Sequence, residues 1–394
     1  MSLFRADFDA ISESDLLELV DGKVPEDHRL DYKRDIYGPS DKDKKELLKD
    51  VSAFANVNGG YIVIGIDEAA GVAAQICGVK PSDIGSEVLR MEQILSSGIE
   101  PRIPGLKIRS LQLTSGSHAI VIKVPKSWRA PHRVSFDKWH KFWMRNSAGA
   151  HEASMEELRH MFTLSSSAVD RARAFRDDRI ALFGQGDELR PLIGSGRFIL
   201  HIFPLSVIST TVTIDPEKIY AGHASFAPLG SMSLSPRYNL DGVINERGNE
   251  ANYGYTQIFR NGIVEATKAN LVRENGHGRN SIWAPNLEEH IFNALPNYIN
   301  GLRSLDVQPP LVLMLTLEGV AGAFYLVKND TYFDELQSFD RAIIRLPECI
   351  VEEYSANIVD YHRAVKPAFD ALWNAIGFPK CLFFDETTGR WRGP

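Results

Sequence analysis

The sequence predicts a protein of the mixed α/β (α+β) class, with an N-terminal mixed-sheet domain flanked by helices and a C-terminal α+β domain. Its 394 residues are enough for two hydrophobic cores. Helix-like and strand-like runs occur in both halves, and a glycine-containing segment at 184–187 separates them. We therefore place a first domain at residues 1–165, a helix and linker at 166–190, and a second domain at 191–394.

The first domain opens with a helix at 12–20, where Ser12 and Asp15 form a capping-box pattern. Apolar residues at helical spacing predict a second helix at 44–57, which Asn58-Gly59-Gly60 ends because a left-handed C-cap favours glycine. The continuous apolar run at 61–66 predicts a strand buried on both faces. The remaining predicted elements are a strand at 72–79 in a hairpin, a helix at 84–95, strands at 107–114, 118–124 and 141–145, and a helix from 154 to about 162.

A helix at 169–183 is predicted to lead into the linker. Beyond it, the pattern predicts strands at 198–203, 311–317 and 323–327, and helices at 287–302 and 350–374. The polar, glycine-punctuated segments 237–242 and 273–280 are explained by turn chemistry alone. We assign no functional site to this half of the chain.

Several classes of protein are disfavoured by composition. No apolar run approaches the roughly 18 residues of a membrane helix, and the first residues lack a basic-then-apolar signal. We therefore expect a cytoplasmic protein without a membrane partner. Cys77, Cys349 and Cys381 are far apart and form no CxxC pair, so we expect core cysteines rather than a disulfide framework or a zinc site.

The charge is distributed unevenly. The net charge is −7, yet residues 101–150 hold ten Lys or Arg and one acid, Asp137. Within them we define a basic aromatic segment, residues 123–145. Cations hold phosphates and aromatic rings stack on unpaired bases, so this segment predicts a nucleic-acid surface; the alternative is a core of aromatics under a solvated charged face. Its candidate contacts are Lys123, Lys126, Arg129, Arg133, Lys138, Lys141, Arg145, Trp128 and Trp139.

Acidic residues form a second candidate set: Glu26, Asp31 and Asp67, with Glu68 next to the last. Hard cations such as Mg²⁺ or Mn²⁺ prefer several carboxylate oxygens that converge on one point. Residues five apart on an ideal strand point to opposite faces, so Glu26 and Asp31 converge only if the chain bends between them. The alternative is structural, because aspartate after a strand is a common turn residue.

Three motifs carry a family resemblance. Glu26, Asp31-Tyr32-Lys33, the run from Ser52 to Gly60, and Gly65-Ile66-Asp67-Glu68 occur in order. Later stretches, 124–132 and 142–147, add V-x-x-S-x-x-x-P-H-like and aromatic-R-x-S-like elements. Over residues 12–165 the sequence resembles Schlafen-type AlbA domains, a nucleic-acid-associated family.

The resemblance implies an AlbA-like fold and an RNA or DNA partner. In ribonuclease members it implies metal-dependent cleavage of structured RNA such as tRNA. Carried over, the catalytic and metal-binding acids become Glu26, Asp31 and Asp67, or Glu68 if the register differs by one, with Mg²⁺ or Mn²⁺ as cofactor and Lys33 offsetting phosphate charge.

Two other functions stay open: a non-catalytic DNA- or RNA-binding regulator, and an interaction module of a bacterial defence or stress assembly. The family is also catalogued as an ATP-binding domain, but the sequence lacks a Walker-type G-x-x-x-x-G-K-[S/T] loop. Gly59 and Gly60 follow a helix instead of opening one, so we do not expect ATP as a ligand. The sequence leaves homo-oligomerisation open.

Overall fold

The computed structural model describes residues 8–147, 149–185, 189–208, 213–231, 233–246, 252–327 and 337–393. The chain divides into two compact units, Met1–Ser167 and Ala168–Pro394. The mixed α+β class predicted from the sequence is confirmed. The finer division with a separate segment at 166–190 stays a prediction, and residues 186–188 of the proposed linker lie outside the described part of the chain.

In the described part of the first unit, short strands accompany three α-helices, and a fourth α-helix begins there. In chain order the elements are α1 (Glu13–Asp21), β1 (Leu30–Lys33), α2 (Asp41–Asn56), β2 (Gly60–Ile64), β3 (Ile66–Ala69), β4 (Val72–Ile76), α3 (Ile84–Gly98), β5 (Ile99–Glu100), β6 (Lys107–Gln112), β7 (His118–Val124), β8 (Arg133–Phe136), β9 (Trp139–Asn146), β10 (Gly149–Glu152) and α4 (Met155–Gln185).

A mixed sheet in the order β1-β2-β7-β6 forms the centre of this unit. β1 runs parallel to β2, and the other neighbours are antiparallel. Ile62 of β2 packs in one core with Leu48 and Phe54 of α2, while Val63 packs on the opposite face with Leu16 of α1. Because successive residues of a strand point to opposite faces, a strand covered on both sides must be apolar throughout. Every residue of β2 is accordingly buried.

Local signals place most boundaries in this unit correctly. The Ser12 N–H donates to the Asp15 carboxylate at 2.9 Å, as the capping box predicts. Gly59, at φ 67°, ends α2 with its N–H donating to the Phe54 carbonyl oxygen at 2.8 Å. The predicted end of a helix near Phe162 is wrong, since α4 continues to Gln185. No glycine or proline lies between Met155 and Phe183 to stop it.

The second unit contains the end of α4 and a large sheet flanked by helices. Its further elements are β11 (Ser195–Pro204), α5 (Pro216–Ala221), β12 (Ser235–Asn239), β13 (Gly242–Glu246), β14 (Tyr255–Phe259), β15 (Val264–Glu274), β16 (Asn280–Trp283), α6 (Ala284–Ser304), β17 (Leu311–Glu318), β18 (Phe324–Leu326), β19 (Ile343–Arg345), β20 (Cys349–Val351) and α7 (Ile358–Asn374). The main path of the sheet is β12-β13-β14-β15-β11-β17-β19.

One element of the second unit differs from the prediction. The sequence predicts a helix over 350–374, but β20 pairs antiparallel with β17 and α7 begins only at Ile358. The Asn357 side chain caps α7 by accepting from the Val359 N–H at 3.1 Å. Pairing with a distant strand therefore overrides the helical pattern at 350. None of the described helices is long and apolar enough to span a membrane.

Candidate functional site

A turn before β1 brings two of the predicted acids together. Glu26 lies outside the strand, and its Oε1 accepts a hydrogen bond from the Tyr32 N–H at 2.7 Å. Asp27 and Leu30 form an isolated antiparallel bridge, so the chain bends between Glu26 and Asp31. Glu26 and Asp31 can converge only if the chain bends between them, and this bend meets that condition.

The convergence creates a polar cavity of about 210 Å³ in the first unit. Four acidic and three basic side chains line it, and Ser147, Gly149 and Ala150 complete the wall. The charged residues are Glu26, Asp27, Asp31, Lys33, Lys49, Asp50 and Arg145. We refer to this space as the carboxylate cavity.

Asp31 is held between two cations. Its Oδ1 accepts from Arg145 Nη2 at 2.9 Å, and Lys33 Nζ lies 2.8 Å from Oδ2. Burial opposes ionisation of this side chain, but the Lys33 and Arg145 charges outweigh it and lower the pKa of Asp31. Burial raises the pKa of Glu26, against the Tyr32 N–H hydrogen bond and with the help of the Asp31 and Glu68 charges. The pKa values of the two acids are therefore moved in opposite directions.

Asp50 is the residue of this cavity that the sequence reasoning missed. It lies on α2 with 3% exposure, and its Oδ2 accepts from the Tyr37 hydroxyl at 2.9 Å. Lys33 Nζ lies 3.4 Å from the same oxygen. A signal was present in the sequence, because Asp50 falls three residues after Leu47 and four before Phe54, on the apolar face of the helix.

Asp67 does not join the cavity. It is the second residue of β3 in the β3–β4 hairpin, and its Oδ2 lies 3.3 Å from Arg34 Nη1. The charge of its neighbour Glu68, by contrast, contributes to the raised pKa of Glu26. Neither alternative for the third acid lines the cavity, and of the two only the Glu68 charge contributes to the raised pKa of Glu26.

The described side chains do not fit a preformed divalent-metal site. No group of three or more His, Cys, Asp or Glu among the described residues is arranged to hold a metal ion. The two oxygens of Asp31 face the cations Arg145 and Lys33 instead. Mg²⁺ or Mn²⁺ at Glu26, Asp31 and Asp67 stays a prediction from the family resemblance, and we derive no chemistry through it.

The basic aromatic segment does not form one continuous face. Arg145 corrects the prediction most clearly, because its side chain is only 6% exposed and is paired with Asp31. Trp139 is partly buried and packs against the core on the α2 side of the sheet, 5.4 Å from the Trp143 ring. These inward positions follow from strand alternation, which turns Trp139, Trp143 and Arg145 to one face of β9.

Other cations of the segment are committed to neighbours. Arg133 pairs with Glu100 at 2.8 Å and Lys141 pairs with Glu152 at 2.5 Å. Lys138 is exposed in the turn between β8 and β9, at φ 61°. These residues remain at or near the surface, but two of them already have an anionic partner.

The part of the segment next to the central sheet keeps the predicted character. Lys123 on β7 is directly opposite Lys107 on β6. Lys126 Nζ lies 4.7 Å from the centroid of the half-exposed Trp128 ring, and Arg129 is exposed. We call these five residues, Lys107, Lys123, Lys126, Trp128 and Arg129, the sheet-end cluster.

Comparison with known families agrees with the motifs in this unit. Residues 26–154 match the family model described as "Schlafen, AlbA_2". Residues 26–154 form a Schlafen AlbA_2 domain. The AlbA_2 domain therefore contains both the carboxylate cavity and the sheet-end cluster. The resemblance predicted from the sequence is confirmed over this range.

Two solved structures resemble parts of the chain. The N-terminal domain of a RecG-related protein from Nitrosomonas europaea is 24% identical, with a TM-score of 0.24, over 30% of this chain and 74% of that one. The DIP2311 protein from Corynebacterium diphtheriae is 14% identical, with a TM-score of 0.28, over 54% of this chain and 37% of that one. A search of curated proteins found no match.

Proposed function

We propose that the AlbA_2 domain binds nucleic acid, RNA or DNA, through the sheet-end cluster. The observation that carries the proposal is the direct opposition of Lys107 and Lys123 across two strands. Facing positions on neighbouring strands put both side chains on one face of the sheet, beside the other cations of the sheet-end cluster. Such a concentration of positive charge attracts a phosphate backbone.

Trp128 suits the same partner. Its ring is half-exposed and lies beside the Lys126 ammonium group. An aromatic face next to a cation is the arrangement on which an unpaired base stacks while its phosphate is held. The AlbA_2 family match over this segment supports the proposal independently of the geometry.

The first test measures binding of a fluorescent single-stranded oligonucleotide at several salt concentrations. The double variant Lys107→Ala/Lys123→Ala should bind more weakly, and its salt slope should fall by about 1.4, at roughly 0.7 for each of two lost phosphate contacts on a single strand. Trp128→Ala should lose affinity by about 1–3 kcal/mol without changing the slope. The matched control Lys42→Ala/Lys80→Ala removes two exposed lysines of the same unit. Equal losses in both double variants would contradict a specific site.

A second candidate function is endoribonuclease activity on structured RNA such as tRNA. The observation that favours it is the gathering of Glu26, Asp31 and Lys33 in one polar cavity. An ionised and a more readily protonated carboxyl close together is a pattern that general acid–base chemistry uses. Without cleavage, the same domain would act as a non-catalytic regulator or an interaction module.

The nuclease candidate is tested with a tRNA pool, with and without Mn²⁺. We expect Glu26→Gln and Asp31→Asn to abolish cleavage, and Glu26→Gln to leave oligonucleotide binding in place. Glu68→Gln should reduce cleavage more than Asp67→Asn, because the Glu68 charge acts on Glu26. If the wild-type protein binds RNA but leaves it intact under both conditions, the regulator is favoured instead.

A further inference from the structure

Asp50 has an unusual set of neighbours for a buried carboxylate. One oxygen, Oδ2, lies 3.4 Å from Lys33 Nζ, and the other, Oδ1, lies 3.5 Å from Lys49 Nζ. The two lysines come from different elements, β1 and α2. A single buried acid thus sits between two ammonium groups that both line the carboxylate cavity.

The acid is buried, but the two cations are reachable. The Asp50 side chain is 4% exposed, whereas those of Lys33 and Lys49 are 28% and 27% exposed. The Tyr37 hydroxyl fixes Oδ2 from the protein interior at 2.9 Å. The Tyr37 hydroxyl therefore holds the Asp50 carboxylate from the interior, while the ammonium groups of Lys33 and Lys49 line the cavity.

We infer that Asp50 is a positioning residue that gathers the ammonium groups of Lys33 and Lys49 into a two-lysine clamp for one phosphate group of a bound nucleic acid. The inference rests on the proposed nucleic-acid function and adds a second contact region to the sheet-end cluster. Holding long side chains in place in advance lowers the entropy that binding would otherwise cost.

Other charged groups also face the clamp. Asp31 lies 2.8 Å from Lys33, and Glu46 lies 3.8 Å from Lys49. Glu26 acts on Lys33 through its charge, and Arg145 is bound to Asp31. Asp50 differs from Asp31, Glu46 and Glu26 because it alone among these four contacts both lysines.

The test compares Asp50→Asn with Asp41→Asn, which removes an exposed acid from the same helix. Loss of a negative charge by itself should strengthen binding to a polyanion. The clamp predicts the opposite sign for Asp50→Asn: binding of a single-stranded oligonucleotide weakens about tenfold, the loss of one charged contact, and the salt slope falls by about 0.7. Tyr37→Phe keeps the carboxylate and should give a smaller loss in the same direction.

A double-mutant cycle separates positioning from a general structural effect. In the Lys33→Met/Lys49→Met background, Asp50→Asn should have no further effect on affinity or slope. If Asp50→Asn alone binds the oligonucleotide as tightly as the wild-type protein, with an unchanged salt slope, the inference is wrong. It is also wrong if Asp50→Asn causes an equal loss of affinity with and without Lys33 and Lys49.

A measurement without nucleic acid distinguishes failure of the clamp from failure of the proposed function. The reaction of Lys33 with an amine-acylating reagent is followed by mass spectrometry, with exposed Lys42 as internal reference. Asp50→Asn should raise the Lys33 rate severalfold, because a lysine without its anion loses its proton more easily. If the wild-type protein binds no nucleic acid, the phosphate role fails with the proposed function, and the labelling rate still decides whether Asp50 holds Lys33.

Discussion

Arg145 connects three parts of the AlbA_2 domain from a buried position. Its guanidinium donates to Asp31 at 2.9 Å and to the Asp27 carbonyl oxygen at 3.2 Å. The same group lies 4.5 Å from the centroid of the Phe54 ring on α2. The side chain therefore acts as a structural tie between β9, the bend before β1 and the helix.

Replacing Arg145 tests this role. Arg145→Met should destabilise the protein by about 3–5 kcal/mol, because it leaves the Asp31 charge buried without that partner. Urea unfolding measures the change. The control Arg133→Met breaks the ion pair with Glu100, whose side chains are 41% and 67% exposed. That pair should be worth about 1 kcal/mol or less, so similar losses in both variants would contradict the assignment.

At the scale of elements, the turn between α2 and β2 packs closely against the segment that follows β7. Gly59 takes a left-handed conformation at φ 67° and lies against the backbone of Val124 and Lys126. A Cβ atom there would lie within 3.0 Å of three backbone atoms, one each from Val124, Pro125 and Lys126. The glycines of this motif thus serve close packing of the helix end against the segment after β7.

Gly59→Ala should therefore destabilise the protein by more than the strain of a left-handed backbone at an alanine. Gly71 is a matched control, since it has φ 75° and no atom within 4 Å of an added Cβ. We expect Gly71→Ala to lose about 1–2 kcal/mol and Gly59→Ala to lose at least about 2 kcal/mol more through overpacking. Thermal unfolding of the two variants makes the comparison, and equal losses would show that the backbone contact relaxes freely.

On the scale of the whole molecule, each unit has its own core and its own buried charge network. In the second unit, Glu265 is fully buried and accepts from Arg179 Nε at 2.7 Å, His201 Nε2 at 2.9 Å and the Tyr255 hydroxyl at 2.8 Å. Burial opposes its ionisation, but the hydrogen bonds from Arg179 and His201 outweigh it and lower the pKa of Glu265 to about 2. α4, β11, β14 and β15 meet at this carboxylate.

This network predicts a pH dependence for the stability of the second unit. A carboxyl with a lowered pKa stabilises the fold above its ordinary value of 4.5, and that stability is lost as the pH falls toward about 2. The loss is on the order of 3 kcal/mol. Hydrogen exchange between pH 5 and 2.5 should show opening in peptides of 189–393 as the Glu265 carboxyl is protonated.

Glu265→Gln should be less stable than the wild-type protein at neutral pH. Its free energy of unfolding should also change less than that of the wild type between pH 5 and 2.5. Glu289→Gln, at an exposed position of α6, is the control and should behave as the wild-type protein does. An unchanged acid profile in Glu265→Gln would show that other carboxyl groups govern this transition.

The sequence by itself determined the fold class, most elements of the first unit and the AlbA_2 domain. These rest on local signals, such as the Ser12 cap, Gly59 and the apolar run predicted as a strand at 61–66, most of which forms β2 at Gly60–Ile64. Their physical causes act within a few residues. Tertiary structure decided which charges meet. Asp50 and Arg145 enter the carboxylate cavity, and Asp67 stays outside it, because ion pairing depends on positions more than a hundred residues apart in sequence for Asp31 and Arg145. For the same reason β20 forms a strand where the local pattern favours a helix: its partner, β17, is brought to it only by the folded sheet.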